Sequence, residues 1–153
     1  MLVNFDSTNK SGERRFFKGC LIYNLAQVRT EIVEDRLTQT IIGAAIEVHR
    51  VLGPGLLESI YENAICYELT LRDIFYERQV AVDVLYKGNI IHGQRLDLLV
   101  EKEVIVEIKS LNKLPDVVMS QVLSYLKSTG LRRALLINFG ERRLVDGIKR
   151  ISL

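Results

Sequence analysis

Apolar positions recur at two different periods along this chain, and the change of period marks its elements. Leu37, Ile41, Ala44, Ala45, Val48 and Leu52 lie three or four apart, the spacing of one helix face. Gly53-Pro54-Gly55 interrupts the pattern, because proline has no N–H with which to continue a helix. A second helix is predicted from about Leu56 to Arg72, burying Leu57, Ile60, Tyr61, Ala64, Ile65 and Leu69. The period then drops to two. Val80, Val82 and Val84 alternate with Ala81, Asp83 and Leu85, and Lys87-Gly88-Asn89 reads as a hairpin turn. Leu96, Leu98 and Val100 form the next alternating run, and Val104, Val106 and Ile108 follow Glu101-Lys102-Glu103. A polar linker with Pro115 leads to a helix from about Asp116 to Ser128, closed by Gly130. Ala134–Ile137 is a continuous apolar run, as in a strand buried on both faces, and a short strand or hairpin is predicted around Leu144–Ile151.

The predicted fold is α/β: a mixed central sheet in α-β-β-β-α-β order, with an additional N-terminal helix. Val104 to Ile137 has the form of a βαβ crossover with parallel strands. Residues 1–35 lack sustained periodicity and read as an N-terminal extension, leaving 36–153 as the domain.

Composition narrows the function without fixing it. With 48% apolar and 26% charged residues, the 153-residue chain has the make-up of a globular domain, not of a disordered or fibrous one. A net charge of +2 excludes a general basic coat for gripping nucleic acid, although the segment from Leu131 carries six basic and two acidic residues, net +4. Two cysteines, Cys20 and Cys66, make no disulfide framework, and a reduced cytoplasmic setting is expected. The longest apolar helical stretch, Thr40 to Val48, is interrupted by Glu47 and too short to span a bilayer, so no membrane is expected as a partner.

Candidate chemistry emerges from strand register. If Lys102 centres the second hairpin, Leu96 faces Ile108, Leu98 faces Val106 and Val100 faces Val104, giving one apolar face. Asp97 then lies opposite Glu107, with Lys109 projecting on the same side because strand side chains alternate. Centring the first hairpin on Gly88 places Gln79 opposite Asp97. The expected constellation is Gln79, Asp97, Glu107 and Lys109 on one face. Two carboxylates so close repel, and a raised pKa, a cation or water would offset the cost. With a lysine nearby, the pair suits a hard divalent cation such as Mg²⁺, which leaves room for a phosphate.

Asp97…Glu107-Ile108-Lys109, set in this order of elements, resembles the PD-(D/E)XK nuclease superfamily. More narrowly, Gly55-Leu56-Leu57-Glu58-Ser59-Ile60-Tyr61 is similar to the signature of the GxxExxY proteins. His49, Gly53-Pro54-Gly55, Glu77-Arg78-Gln79, Tyr86-Lys87-Gly88, Gln121…Tyr125-Leu126 and Leu136-Ile137-Asn138-Phe139-Gly140 also resemble that family's pattern, over about Leu37 to Ile151. Leu96 stands where the superfamily's motif has proline.

The resemblance implies a restriction-endonuclease-like core and a metal-dependent nuclease acting on DNA or RNA. Asp97, Glu107 and Glu58 would hold Mg²⁺, with Mn²⁺ as a substitute, and Lys109 would be the catalytic lysine. Gln79, Tyr61, Gln121 and Tyr125 would support the site. The alternative is a binding module for nucleic acid or protein that keeps the fold without turnover. Plainer roles also exist residue by residue. Glu58 can serve the dipole of its own helix, Tyr61 can pack, Gln121 and Tyr125 can merely face the sheet, and His49 can cap carbonyls. Cys66 is expected as a small buried hydrophobe, and His92 has no evident partner.

Overall fold

In the computed structural model, which describes residues 36–153, the 17-residue helix α1 (Arg36–Leu52) buries Thr38, Ile41, Ala44, Ala45 and Val48. These are the three- and four-spaced positions that a single buried face requires. The predicted N-terminal extension and Cys20 lie outside the described residues. Helix α2 spans Glu58–Thr70, shorter at both ends than the periodicity suggested. Leu56 and Leu57 instead belong to the connection from α1 and stay exposed.

Five strands follow: β1 (Tyr76–Tyr86), β2 (Asn89–Val100), β3 (Val104–Lys109), then β4 (Arg133–Asn138) and β5 (Ile148–Ser152) after the crossover helix α3 (Asp116–Thr129). A 3₁₀ turn, Leu144–Gly147, precedes β5. The sheet runs β1-β2-β3-β4-β5, antiparallel except for the parallel β3–β4 pair. This is the mixed α/β sheet expected from the sequence, with the short terminal strand in place. The central strand β3 has neighbours on both sides and is buried along Val104–Ile108, as an apolar strand covered on both faces must be.

Two apolar cores sandwich the sheet. Helices α1 and α2 pack with Leu98, Val100, Val104, Val106, Ile108, Leu135 and Ile137 on one face. Helix α3 packs with Val82, Leu96, Ile105, Ala134, Leu136 and Ile151 on the other. Each buried Leu, Ile or Val side chain contributes about 1.5–3 kcal/mol of transfer free energy, so the two layers fix the sheet between the helices.

Leu96 corrects the single apolar face expected for β2. It enters the α3 core, whereas Leu98 and Val100 enter the opposite one. Strand β1 switches faces at the same level: Tyr76 packs toward α1 and α2, Val80 and Val82 toward α3. On β1 the physical cause is Gln79, whose φ of 50° is left-handed and breaks the two-residue alternation. Its partner across the ladder would be Asp97, since Arg78 pairs with Leu98 and Val80 with Leu96.

That register is the predicted one, reached by another route. The turn is a two-residue one, with Tyr86 pairing with Asn89 across Lys87 and Gly88, both at positive φ. The pairing then shifts by one between Val82 and Val84, where His92 and Gly93 together oppose Asp83. Gly93 has φ 128°, a conformation that residues with a Cβ rarely adopt. His92 Nδ1 lies 2.7 Å from Asp83 Oδ1 across this bulge, the partner that the sequence did not reveal.

Candidate metal centre

The β2–β3 ladder holds the predicted register at Leu98–Val106, Leu99–Ile105 and Val100–Val104, and is not continued at Asp97 and Glu107. There the Asp97 side chain replaces backbone pairing: Oδ2 accepts the Ile108 N–H at 2.7 Å. Its other oxygen, Oδ1, lies 3.4 Å from the Gln79 amide nitrogen. The β2–β3 ladder thus has a gap at this level, which a carboxylate fills from β2 itself.

Glu107 and Lys109 stand beside that gap. Lys109 Nζ donates to Glu107 Oε1 at 2.6 Å. Glu107 is 2% exposed, and its second oxygen, Oε2, is buried with no hydrogen-bond partner. An acceptor left empty in the interior costs about 1–3 kcal/mol, and more when charged. Burial first, then the charge of Asp97, push the Glu107 carboxyl above its usual range, with Glu58 adding to the repulsion and Lys109 opposing it. Burial likewise raises Asp97, against the Ile108 N–H and the Lys109 charge. For Lys109, burial works toward a lower value, but the Glu107 hydrogen bond and the charges of Glu107, Asp97 and Glu58 prevail and hold it raised.

Glu58 reaches the same end of β3 from the first turn of α2. Its Oε1 accepts the Ser110 N–H at 3.2 Å, and α2 has no side-chain cap. The carboxylate thus bonds across to the β3 terminus, where the plainer role would have it cap its own helix. Ser110 completes the link by donating its hydroxyl to the Leu56 carbonyl at 2.7 Å. A groove lined by Leu56, Leu57, Glu58, Ser59 and Ser110 opens here to solvent.

The remaining predicted residues lie at different removes. Gln79 contacts Asp97 directly. Tyr61 is fully buried and donates its hydroxyl to the Gly53 carbonyl at 2.6 Å while accepting the Leu56 N–H at 3.1 Å, so it holds the loop that leads into Glu58. On α3, Gln121 donates to the Tyr125 hydroxyl, which donates to the Arg95 carbonyl at 3.0 Å. Burial and then the Glu107 charge raise the Tyr125 phenol, which places Tyr125 within the electrostatic reach of the site. His49 Nε2 is 2.9 Å from the Glu141 carbonyl oxygen, outside the cluster. Cys66 is a buried free thiol pushed upward by burial, in the core as expected.

One expectation needs correction. Gln79, Asp97, Glu107 and Lys109 do come together, but not as a single polar face. Ile105 belongs to the α3 core, so alternation sends Glu107 and Lys109 to that side, whereas Gln79 bonds to α2. The groups meet around the gap between β2 and β3. Among the described residues, no three His, Cys, Asp or Glu side chains are drawn together tightly enough to hold an ion as they stand. Hydrogen bonds from Lys109, Ile108, Gln79 and Ser110 occupy one or both oxygens of each acid instead. By residue type the donors suit a hard divalent cation: three carboxylates, of which Glu107 has a buried empty oxygen and Glu58 borders the groove.

Sequence reasoning missed two contributors, Glu62 and Ser110, and gave a third, Asn138, only as part of a resembling stretch with no role. Glu62, one helical turn beyond Glu58, is buried and bonds to Arg78 and Gln79. Its signal was a carboxylate four residues from Glu58, among the apolar positions of the same helix. Ser110 follows Lys109 directly. Asn138 at the end of β4 accepts the Leu111 N–H at 2.9 Å and donates to the Leu111 carbonyl at 2.8 Å, pinning the segment that leaves Lys109.

Comparison with known proteins bears on the family of the chain. A family model described as the PD-(D/E)XK nuclease superfamily matches residues 35–151. No curated protein matches the chain. A solved structure titled "Crystal structure of SSO0001" aligns with a TM-score of 0.41 at 16% identity, covering 78% of each chain, a likeness too loose to bear on function.

Proposed function

The chain belongs to the PD-(D/E)XK nuclease superfamily, and from that premise we propose that it is a metal-dependent nuclease of the GxxExxY type, hydrolysing phosphodiester bonds of DNA or RNA. The observation that carries this reading is the buried, empty Oε2 of Glu107 beside Lys109, with Asp97 and Glu58 near enough to shift its titration. Two acids raised by burial beside one another, Asp97 and Glu107, the second with an orphaned oxygen, are costly to a fold that has no use for them.

Asp97, Glu107 and Glu58 are the residues that would hold the ion, Mg²⁺ with Mn²⁺ as a substitute. Such an ion supplies Lewis acidity, offsetting negative charge that develops on a phosphoryl oxygen. The hydrogen bond to Glu107 and the charges of the acidic neighbours favour the ammonium form of Lys109, which would orient the attacking water and stabilise developing charge. Tyr125 and Gln121 back the site from α3, and Tyr61 holds the loop that presents Glu58. Gln79 steadies Asp97.

The test is cleavage of single-stranded, duplex and branched DNA and RNA with Mg²⁺ or Mn²⁺. Metal-dependent cleavage that disappears in Asp97→Ala and Lys109→Ala supports the reading, and cleavage that survives either substitution ends these assignments. A second reading, a binding module without turnover, takes support from the oxygens already tied up by hydrogen bonds within the chain. Nucleic-acid binding without metal uptake or cleavage would favour it.

A further inference from the structure

We propose that Glu62 is a positioning residue for Asp97, acting through the side-chain amide of Gln79; the proposal rests on Asp97 being a metal ligand, as above. Glu62 lies on α2 four residues after Glu58, is 8% exposed, and spends both oxygens on β1. Oε1 accepts from Arg78 Nε at 2.9 Å, and Oε2 accepts from Gln79 Nε2 at 2.8 Å. The same Gln79 nitrogen is 3.4 Å from Asp97 Oδ1. Arg78 is steadied by a further bond to Asn63 Oδ1 at 2.7 Å.

The chemistry of the four groups sets the direction of the relay. An ionised carboxylate only accepts hydrogen bonds, and a primary amide nitrogen carries two hydrogens. Gln79 sits between two carboxylates and can satisfy both only with its nitrogen toward them. Turned over, its carbonyl oxygen would face acceptors with no hydrogen to share. Glu62 therefore locks the amide in the orientation that offers N–H to Asp97. With Ile108 N–H on Oδ2, Asp97 is then held at both oxygens, each with a further lone pair free for an ion.

The backbone is committed to this arrangement too. Gln79 takes the left-handed φ that breaks the alternation of β1 and keeps its side chain on the α2 side with Arg78. Glu62 and Asp97 also repel, and the guanidinium of Arg78 on Glu62 limits that cost. Because Glu58 and Glu62 lie one turn apart on α2, a single helix sets two of the proposed ligands, one directly and one through Gln79.

The experiment measures Mn²⁺ binding to the full chain, by electron paramagnetic resonance of free Mn²⁺ and by calorimetry, for wild type, Glu62→Gln, Gln79→Ala and the double variant. Glu62→Gln keeps the shape but places an amide where only an acceptor stood, freeing Gln79 to turn over. It should weaken Mn²⁺ about 10–100-fold, the usual effect of losing a group that orients a ligand. Gln79→Ala, which leaves the Glu62–Arg78 pair intact, should weaken it comparably. Adding Glu62→Gln to Gln79→Ala should then change affinity less than about twofold, since the relay is already cut. A purely structural Glu62 would lower the melting temperature and leave Mn²⁺ affinity within about twofold of wild type, which overturns the proposal, as do effects that multiply in the double variant. Wild type that takes up no Mn²⁺ removes the metal-site reading itself, and the role of Glu62 with it.

Discussion

Tyr61 lies nearly flat on Phe139, with ring centroids 4.3 Å apart and planes 11° apart. The contact joins the first turns of α2 to the segment after β4, on either side of the end of β3. The Tyr61 hydroxyl extends the joint to the α1–α2 loop through Gly53 and Leu56. Tyr61→Phe keeps the stack but removes the bonds to the half-buried carbonyl of Gly53 and to the N–H of Leu56. It should cost about 0.5–1.5 kcal/mol in denaturant unfolding. Because Leu56 also receives the Ser110 hydroxyl, metal-dependent cleavage should fall as well. A variant as stable as wild type would show that water replaces the hydroxyl and that the loop is held otherwise.

Gly140 marks the other side of the same joint. A Cβ built there would stand 2.2 Å from the Leu111 carbonyl oxygen, a backbone atom that cannot swing aside. Gly140→Ala should therefore destabilise the domain by about 1–3 kcal/mol or more, as overpacking does. It should also displace the chain leaving Lys109, whose carbonyl accepts the Phe139 N–H at 2.6 Å. Thermal unfolding reads the first effect. Amide exchange at Ser110 and Leu111 reads the second, and unchanged protection there would mean that the segment is not held from Gly140.

The local motifs and the order of elements were legible because period and burial encode them directly. The change from three- and four-residue spacing to alternation found both helices and the sheet, and matching apolar positions across Lys102 found the register of β2 and β3. What alternation could not show was its own failure. A left-handed residue in mid-strand carries no signature when it is a glutamine, and on the neighbouring strand Leu96 was expected beside Leu98 but enters the opposite core. The Gln79–Asp97 pairing was reached from a hairpin centred on Gly88, where a two-residue turn and a bulge at Gly93 together produce the same offset. Glu62 was missed because a mid-helix glutamate ordinarily faces solvent. Only the packing of α2 against β1 shows that this one is buried.

The left-handed turn at Gln79 can be tested apart from its side-chain bonds. Gln79→Gly and Gln79→Val both remove the amide, but glycine tolerates positive φ and a β-branched residue does not. Valine should be less stable than glycine by at least about 1–2 kcal/mol, the cost of left-handed backbone for an L-residue, although valine is the better strand former. Urea unfolding of the pair decides the matter. Valine at least as stable as glycine would mean that β1 can run straight through this position.

Stability should respond to pH in opposite directions with and without metal. Asp97 and Glu107 are both raised in the folded protein, chiefly by burial, from ordinary values of 3.8 and 4.5. A carboxyl raised on folding holds its proton longer in the native state than in the unfolded chain. Stability from these two groups is therefore greatest below the unfolded values, falls as pH rises from about 4 through the raised folded values, and is level above them. Metal binding requires the ionised forms, so stabilisation by Mg²⁺ or Mn²⁺ should grow over the same interval, reaching about 2.7 kcal/mol at a hundredfold excess over the dissociation constant. The Asp97→Asn, Glu107→Gln double variant isolates the effect from the other acids. Relative to wild type it should gain stability toward neutral pH when metal-free, and lose the response to metal. Parallel pH profiles for the two proteins, with and without metal, would show that neither carboxyl is strained in the fold and that neither holds an ion.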